Sequence, residues 1–322
     1  DKYKNHKKKI IEFWKSFFEI LKYFKFCDFI VSSNYVYAYL YDINESIKKL
    51  NISSISFCKE TVHPFAYQEN VIKNFYSKTK FNGDKIIFYS KKQKNLYIRL
   101  DGINSKNSFY IGSPKSDNLI NFEDQKGVKT EKYKAVLFFS PDKDKLNGIP
   151  KKTVKKYQIL EKINNFYVQF LKFCELNKSD LFAIKLKKNN HYVQYFKPFL
   201  KKNNLRLPSN IKILNETSNS HHVINNSSKV FVYHSTVILE SLILGKHVIE
   251  PEIYKKRLID CKYFFTYGYD GVATRVSSLD TIKKAFQKKN LNKDLRFKKK
   301  ILDDYFGPID GKCKMRFFKI IN

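Results

Sequence analysis

From Val230 to Ile253 the chain reads VFVYHSTVILESLILGKHVIEPEI. Four side chains with chemistry, His234, Ser235, Thr236 and Glu240, stand where an apolar strand gives way to an apolar helix. A helix opening there presents free backbone N–H groups and two hydroxyls at its positive end, which is the chemistry that holds a phosphate. Glu240 follows Thr236 by four residues and so lies on the same helix face, one turn deeper. A carboxylate in that place accepts two hydrogen bonds from a ribose diol. His234 ends the strand and is placed to touch the same ligand. Together these residue types describe a nucleotide held by phosphate and sugar. Ser and Thr are also common helix caps, and Ser235 is suited to that role in any case. Two further acids, Glu60 and Asp117, fall at strand ends; paired carboxylates with separate roles are the pattern of sugar-transfer chemistry in retaining glycosidases.

The elements that must position these residues follow from the hydrophobic pattern. Lys229–Tyr233 alternates too little for a half-exposed strand and reads as a central one. Gly245 sits where a helix ends, and Val248-Ile249 resumes the sheet. The same alternation of short apolar strands and longer helical patterns runs through the whole chain, which implies parallel sheets with helices on both faces. In the first half, helices are expected over 3–26, 37–50 and 91–100, and strands over 29–32, 52–58, 85–89 and 109–111. The polar segment 122–134 has no apolar period and reads as a linker. The second half restarts with a strand over 135–139, a long helix over 152–176 and a strand over 181–186. A helix over 191–200, a strand over 211–214 and a short helix over 220–226 lead into the opening stretch. Helices over 281–289 and 296–305 follow it. Gly307-Pro308 breaks the chain before an amphipathic segment, 309–320. The domains expected are 1–121, 135–290, and closing helices in 291–322 that pack back toward the first.

Composition narrows the classes. The 322 residues include 29 Phe and 22 Tyr, enough to fill two cores, so the net charge of +32 does not mark a disordered chain. Of the 62 basic residues 56 are Lys, spread along the chain, whereas nucleic-acid readers lean on Arg. No specific nucleic-acid partner is expected; a basic surface that favours anions is. The five cysteines form no CxxC pair and imply reduced thiols in a cytoplasmic setting, with no zinc site. The adjacent His221 and His222 make no ligand pattern. No run approaches the roughly 20 apolar residues of a membrane span.

HSTVILESLILGKHVIEP resembles the donor-site segment of GT-B glycosyltransferases that build bacterial capsule and lipopolysaccharide, in which a hydroxyl pair precedes E-[AS]-L and G-K-x-V-I. YIGSPKSDNL (110–119) is similar to their G-[NS]-P-[RK]-x-D segment, SFCKETVHP (56–64) to their strand-end Lys-Glu segment, and YFGPIDGKCKMRFFKII (305–321) to their closing F-G-x-x-D-G-K-A segment. The four occur in the family's order and bracket most of the chain. Enzymes using CMP-activated Kdo, a 2-keto-3-deoxy sugar acid, are the nearest relatives this pattern points to. The resemblance implies an α/β, GT-B-like fold of two Rossmann-like domains whose parallel sheets face a cleft. It implies a metal-independent transferase with a nucleotide sugar as substrate and no cofactor. It assigns Asp117 to the anomeric centre, Glu60 to acid/base work, and His63 and Lys59 to the acceptor, an anionic or lipid-linked glycan at the inner face of the cytoplasmic membrane. Where many relatives carry Lys-Pro-His-Pro this chain reads Ile184-Lys185-Leu186-Lys187; only Lys185 survives, placed to meet a phosphate or sugar carboxylate. The family's first strand and helix have no counterpart before Asp1. A UDP-sugar epimerase of the same fold, a non-catalytic relative, and a basic nucleic-acid-binding protein are the rival readings.

Overall fold

The structure is a computed structural model and describes residues 2–34, 38–58, 68–69, 72–73, 80–120, 133–140, 151–187, 190–233, 235–253, 273–288 and 295–322. The chain divides into two compact units, one made of Asp1–Asp117 with Ile301–Asn322 and the other of Asn118–Lys300. Of the segment read as a linker, only Tyr133 and Lys134 are among the described residues, and Tyr133 forms an isolated bridge with Ser227.

The first unit begins with α1 (Lys2–Tyr23), β1 (Phe29–Ser32), α2 (Ala38–Lys48), β2 (Ser53–Phe57) and β3 (Lys85–Phe88). It continues with α3 (Lys91–Asp101), β4 (Ser108–Tyr110) and the start of α4 (Pro114–Ile120). Its strands lie in the order β1-β2-β3-β4, all parallel. The period of two decides what covers each face. From β3, Ile86 and Phe88 pack with Leu96, Tyr97 and Ile103, while Ile87 joins Ile55, Ile111 and Cys313 in a separate cluster. Helix α3 is defined at both ends by its own residues. Ser90 accepts the Gln93 N–H and Gln93 accepts the Ser90 N–H, a capping box, and Gly102 ends the helix at φ 67°.

The second unit runs β5 (Ala135–Phe139), α5 (Lys151–Lys156), α6 (Ile159–Leu176), β6 (Phe182–Leu186), a π-turn (Tyr192–Phe196), α7 (Lys197–Lys202) and β7 (Ile211–Leu214). Then come α8 (Ser220–Asn225), β8 (Lys229–Phe231), α9 (Val237–Ile243), β9 (His247–Pro251), β10 (Ala273–Val276), α10 (Leu279–Gln287) and α11 (Leu295–Phe306). Helix α11 reaches into the first unit, where α12 (Cys313–Ile321) closes the chain. The sheet order is β10-β9-β8-β5-β6-β7, all parallel. Strands AVLFF and FAIKL expose no residue, as expected of parallel strands covered on both faces. Both units are Rossmann-like α/β layers.

Several expectations change. The helix expected over 152–176 is two helices, because Gln158 takes a left-handed φ of 50° between them. The helix expected over 191–200 opens as a π-turn in which the Lys197 N–H reaches the Tyr192 carbonyl. Pro198 follows and has no N–H to give. The last helix starts at Cys313, four residues after the expected 309. Strand β10 reads ATRV, too short and polar to stand out in the sequence.

At the amino ends of β8, β9 and β10 lies a buried polar chain. Lys229 Nζ donates to the Lys288 carbonyl and to His247 Nδ1, at 3.1 and 2.9 Å, and His247 Nε2 meets Thr274 Oγ1 at 2.8 Å. An ammonium has only donors, so Nδ1 accepts and His247 is the neutral tautomer that donates from Nε2. Burial, with Lys229 and Lys288 adding repulsion, pushes His247 down to about 4.

Candidate functional site

The order β7-β6-β5-β8-β9-β10 is wound outward from β5 in both directions, so β5 and β8 are where the winding reverses. Parallel α/β sheets hold ligands at the carboxyl ends of the strands at that reversal. The turn from β8 into α9 emerges there and carries Ser235 and Thr236. Ser235 Oγ accepts the Val237 N–H at 3.3 Å and its carbonyl accepts the Ile238 N–H. Thr236 is the residue in the N-cap place, and its hydroxyl donates to Glu240 Oε1 at 3.0 Å. Glu240 is 1% exposed, and its Oε2 lies 3.4 Å from His221 Nε2. His221 is held from α8, where Asn219 Oδ1 accepts its N–H at 2.8 Å.

The carboxylate on α9 therefore has partners from its own unit, and a diol reaching it must take the place of Thr236 or His221. His221 was passed over in the sequence because its distance of 19 residues from Glu240 gives no local signal. Only the packing of α8 on α9 brings the two together. Helix α9 has seven residues, about two turns, so backbone N–H groups and hydroxyls act here at short range, without a long helix dipole behind them.

Lys185 sits on β6, separated from β8 by β5 alone, which puts it about 10 Å away across the strands. The residue is 6% exposed, and its ammonium donates to the carbonyls of Leu186 and Asn215, at 2.9 and 2.6 Å. It ties the carboxyl ends of β6 and β7 together. Burial lowers its pKa, and Glu216 opposes the shift. A cavity of about 170 Å³ lies off this reversal, at the ends of β9 and β10, with Lys162, Asn165 and Glu252 in its wall. Lys162 and Asn165 are engaged there by the carbonyls of Ile253 and Ser277.

In the first unit Asp117 stands in the first turn of α4, 8% exposed. Its Oδ2 accepts the Cys313 N–H at 2.8 Å, which caps α12, and its Oδ1 has no hydrogen-bond partner among the described residues. The surroundings interlock two of the motif segments. Cys313 Sγ meets the Gly112 carbonyl at 3.4 Å, and Arg316 donates to the Ile111 carbonyl at 3.1 Å while pairing with Asp310. Burial first, then the Asp117 charge, pushes the Cys313 thiol up to about 12. The backbones cross so closely that a Cβ on Gly112 would lie 2.7 Å from the Pro308 carbonyl oxygen, and one on Gly307 2.0 Å from that of Tyr89. Segments 110–119 and 305–321 thus form a clasp that fastens α12 to the sheet. Glu60, Lys59, His63 and His234 lie outside the described residues.

No protein-family model matches the chain, and no curated protein matches it in sequence. Solved structures resemble it over nearly its full length. The UDP-GlcNAc 2-epimerase from Methanocaldococcus jannaschii superposes with a TM-score of 0.59 at 15% identity, covering 98% of this chain and 81% of that one. The UDP-GlcNAc 2-epimerase from Neisseria meningitidis bound to UDP-GlcNAc gives 0.56 at 13%, covering 98% and 80%. A glycosyltransferase from Rickettsia africae gives 0.50 at 12%, covering 97% and 82%. Identities this low show the fold, which is GT-B-like.

Proposed function

We propose that this chain is an enzyme acting on a nucleotide sugar, with the nucleotide held in the second unit at the β5/β8 reversal. The observation that carries the reading is the placement of Ser235, Thr236 and the buried Glu240 at the carboxyl end of β8, where the sheet order reverses. In this reading the turn N–H groups with Ser235 and Thr236 hold the phosphates, and His234 is assigned to the same ligand. Glu240 takes the ribose diol after His221 or Thr236 moves aside. Lys185 supplies a cation about two strands away, for a phosphate or the carboxylate of the sugar.

The reaction we assign is glycosyl transfer, with CMP-Kdo as the donor that the motif resemblance favours and an anionic or lipid-linked glycan as acceptor. Breaking the sugar–phosphate bond leaves negative charge on the phosphate and positive charge at the anomeric carbon, so donors are needed at one and a carboxylate at the other. Asp117 Oδ1, the oxygen not engaged by Cys313, is the group assigned to the anomeric centre. Glu60 is assigned to proton transfer, and Lys59 and His63 to the acceptor. A second reading, epimerisation of a UDP-sugar, is favoured by the two epimerase structures that superpose on the chain. It needs no acceptor.

Thermal unfolding with CMP, UDP, GDP and ADP tests the proposal. A nucleotide at about 100 times its Kd stabilises the folded chain by about 2.7 kcal/mol. A CMP shift that disappears in Glu240→Gln supports the Kdo-type transferase. A UDP shift directs the test to UDP-GlcNAc without acceptor, where a C2 epimer decides for epimerisation. No shift with any nucleotide sinks the proposal.

A further inference from the structure

We infer that α1 is a docking surface for an anionic lipid bilayer. The helix has two apolar sectors. Trp14, Phe18 and Leu21 pack inward with Ile47 and Ile52. Phe13, Phe17, Ile20 and Phe24 recur at i, i+4, i+7 and i+11, which at 100° per residue keeps them within about 60° of one line and spreads them over about 16 Å. All four are exposed, at 63%, 42%, 58% and 57%. The Phe24 N–H still bonds the Ile20 carbonyl, so the helical repeat carries through to it. Lys25 then turns left-handed at φ 57°, and the Phe26 N–H closes back on the Leu21 carbonyl. That turn leaves Tyr23 and Phe26, at 82% and 76% exposure, beside Phe24, with the Phe24 and Phe26 rings stacked at 5.8 Å.

A continuous apolar stripe of this kind marks an interaction surface. Its charge surroundings choose the occupant. Between residues 2 and 26 there are eight lysines and two glutamates. Lys15 pairs with Glu19 and Lys7 with Glu45, while Lys9, four residues before Phe13, and Lys25, next to Phe24, are exposed beside the stripe. A second copy of this chain would bring the same lysines and the same net charge of +32 against them. Nucleic acid would answer the lysines and leave Ile20 and the Phe stripe without an apolar partner. A bilayer with anionic headgroups offers both layers at once: phosphates for the lysines and acyl chains for the rings, at an insertion of about 5–10 Å. The mode is interfacial, since among the described residues no helix is long and apolar enough to cross a membrane. Such docking needs no nucleotide and stands or falls separately from the reading above.

The test is co-sedimentation with phosphatidylcholine vesicles, with and without phosphatidylglycerol, at low and high salt. The wild-type chain is expected to bind the anionic vesicles and leave the neutral ones. The triple variant Phe17→Gln/Ile20→Gln/Phe24→Gln should bind them about a hundredfold more weakly, and Lys9→Glu/Lys25→Glu about tenfold. The substituted side chains are exposed, and an unchanged melting temperature checks that the variants fold. Trp14, the only Trp of the chain, lies 5.4 and 5.8 Å from the Phe13 and Phe17 rings. Its fluorescence should change when anionic vesicles are added to wild type, a readout that needs no variant. Equal binding to both vesicle types, wild-type binding by the triple variant, or unmoved Trp14 emission would each overturn the inference. So would a wild-type dimer, without vesicle binding, that the triple variant dissolves; the stripe would then belong to a second copy.

Discussion

Replacing Asp117 by Ala and by Asn separates the two roles that meet at that residue. In Asp117→Ala the Cys313 N–H, buried at the start of α12, loses a charged acceptor at 2.8 Å. Hydrogen bonds to charged groups contribute about 1.5–3 kcal/mol. The variant also removes Oδ1, a buried oxygen with no hydrogen-bond partner among the described residues, and that relief offsets part of the loss. The expected net destabilisation is about 1–2 kcal/mol, which for a unit of roughly 140 residues lowers its melting temperature by about 3–6 °C. Asp117→Asn keeps an oxygen to accept the Cys313 N–H, so its stability should stay within about 1 kcal/mol of wild type. If Oδ1 also serves the anomeric centre, Asn abolishes transfer while nucleotide binding in the second unit survives. Calorimetry of the three proteins, followed by transfer assays, reads both quantities. A wild-type melting temperature in Asp117→Ala refutes the clasp energetics, and wild-type turnover in Asp117→Asn removes Asp117 from the chemistry.

Other outcomes follow from the same geometry. His247 is depressed from 6.5 to about 4, so the unfolded chain takes up its proton first as pH falls. The associated stability is present above about pH 6.5 and is lost between there and pH 4. The loss amounts to about 2–3 kcal/mol and should disappear in His247→Gln; an unchanged acid slope in denaturant titrations of that variant would refute the assignment. Gly307→Ala should destabilise the first unit by more than about 3 kcal/mol, because the added Cβ meets the Tyr89 carbonyl oxygen at 2.0 Å and φ is 71°. Loss of hydrogen-exchange protection in the first unit with the second unit's protection retained would show it, and near-wild-type stability would mean that the crossing of Gly307 and Tyr89 is wrong.

Strand 135–139 was legible because a parallel strand covered on both faces is written as an apolar run, and 29–32 and 211–214, each with an exposed residue, still fall where the sequence places them. The break at Gln158 was not, since the apolar period runs through it and neither Gly nor Pro marks the turn. Ser235, Thr236 and Glu240 were legible as a local group, because one turn of helix fixes their spacing. The contact of His221 with Glu240 depends on two helices meeting, which no local pattern encodes. The clasp shows the same limit from the other side. Segments 110–119 and 305–321 stood out as motifs, yet their meeting across 196 residues, and the capping of α12 by Asp117, follow only from the folded chain.

The clasp also sets the order in which a nascent chain becomes whole. The second unit is one uninterrupted length, Asn118–Lys300, and can close as soon as that length has left the ribosome. The first unit has its sheet early but receives α12, which covers Ile55, Ile87 and Ile111 through Cys313, only after the whole second unit has been made. At about 5–20 residues per second the 196 residues between Asp117 and Cys313 take about 10–40 s to make. For that interval one face of the early sheet stays bare while the later unit folds ahead of it, so the half synthesised first is the half completed last.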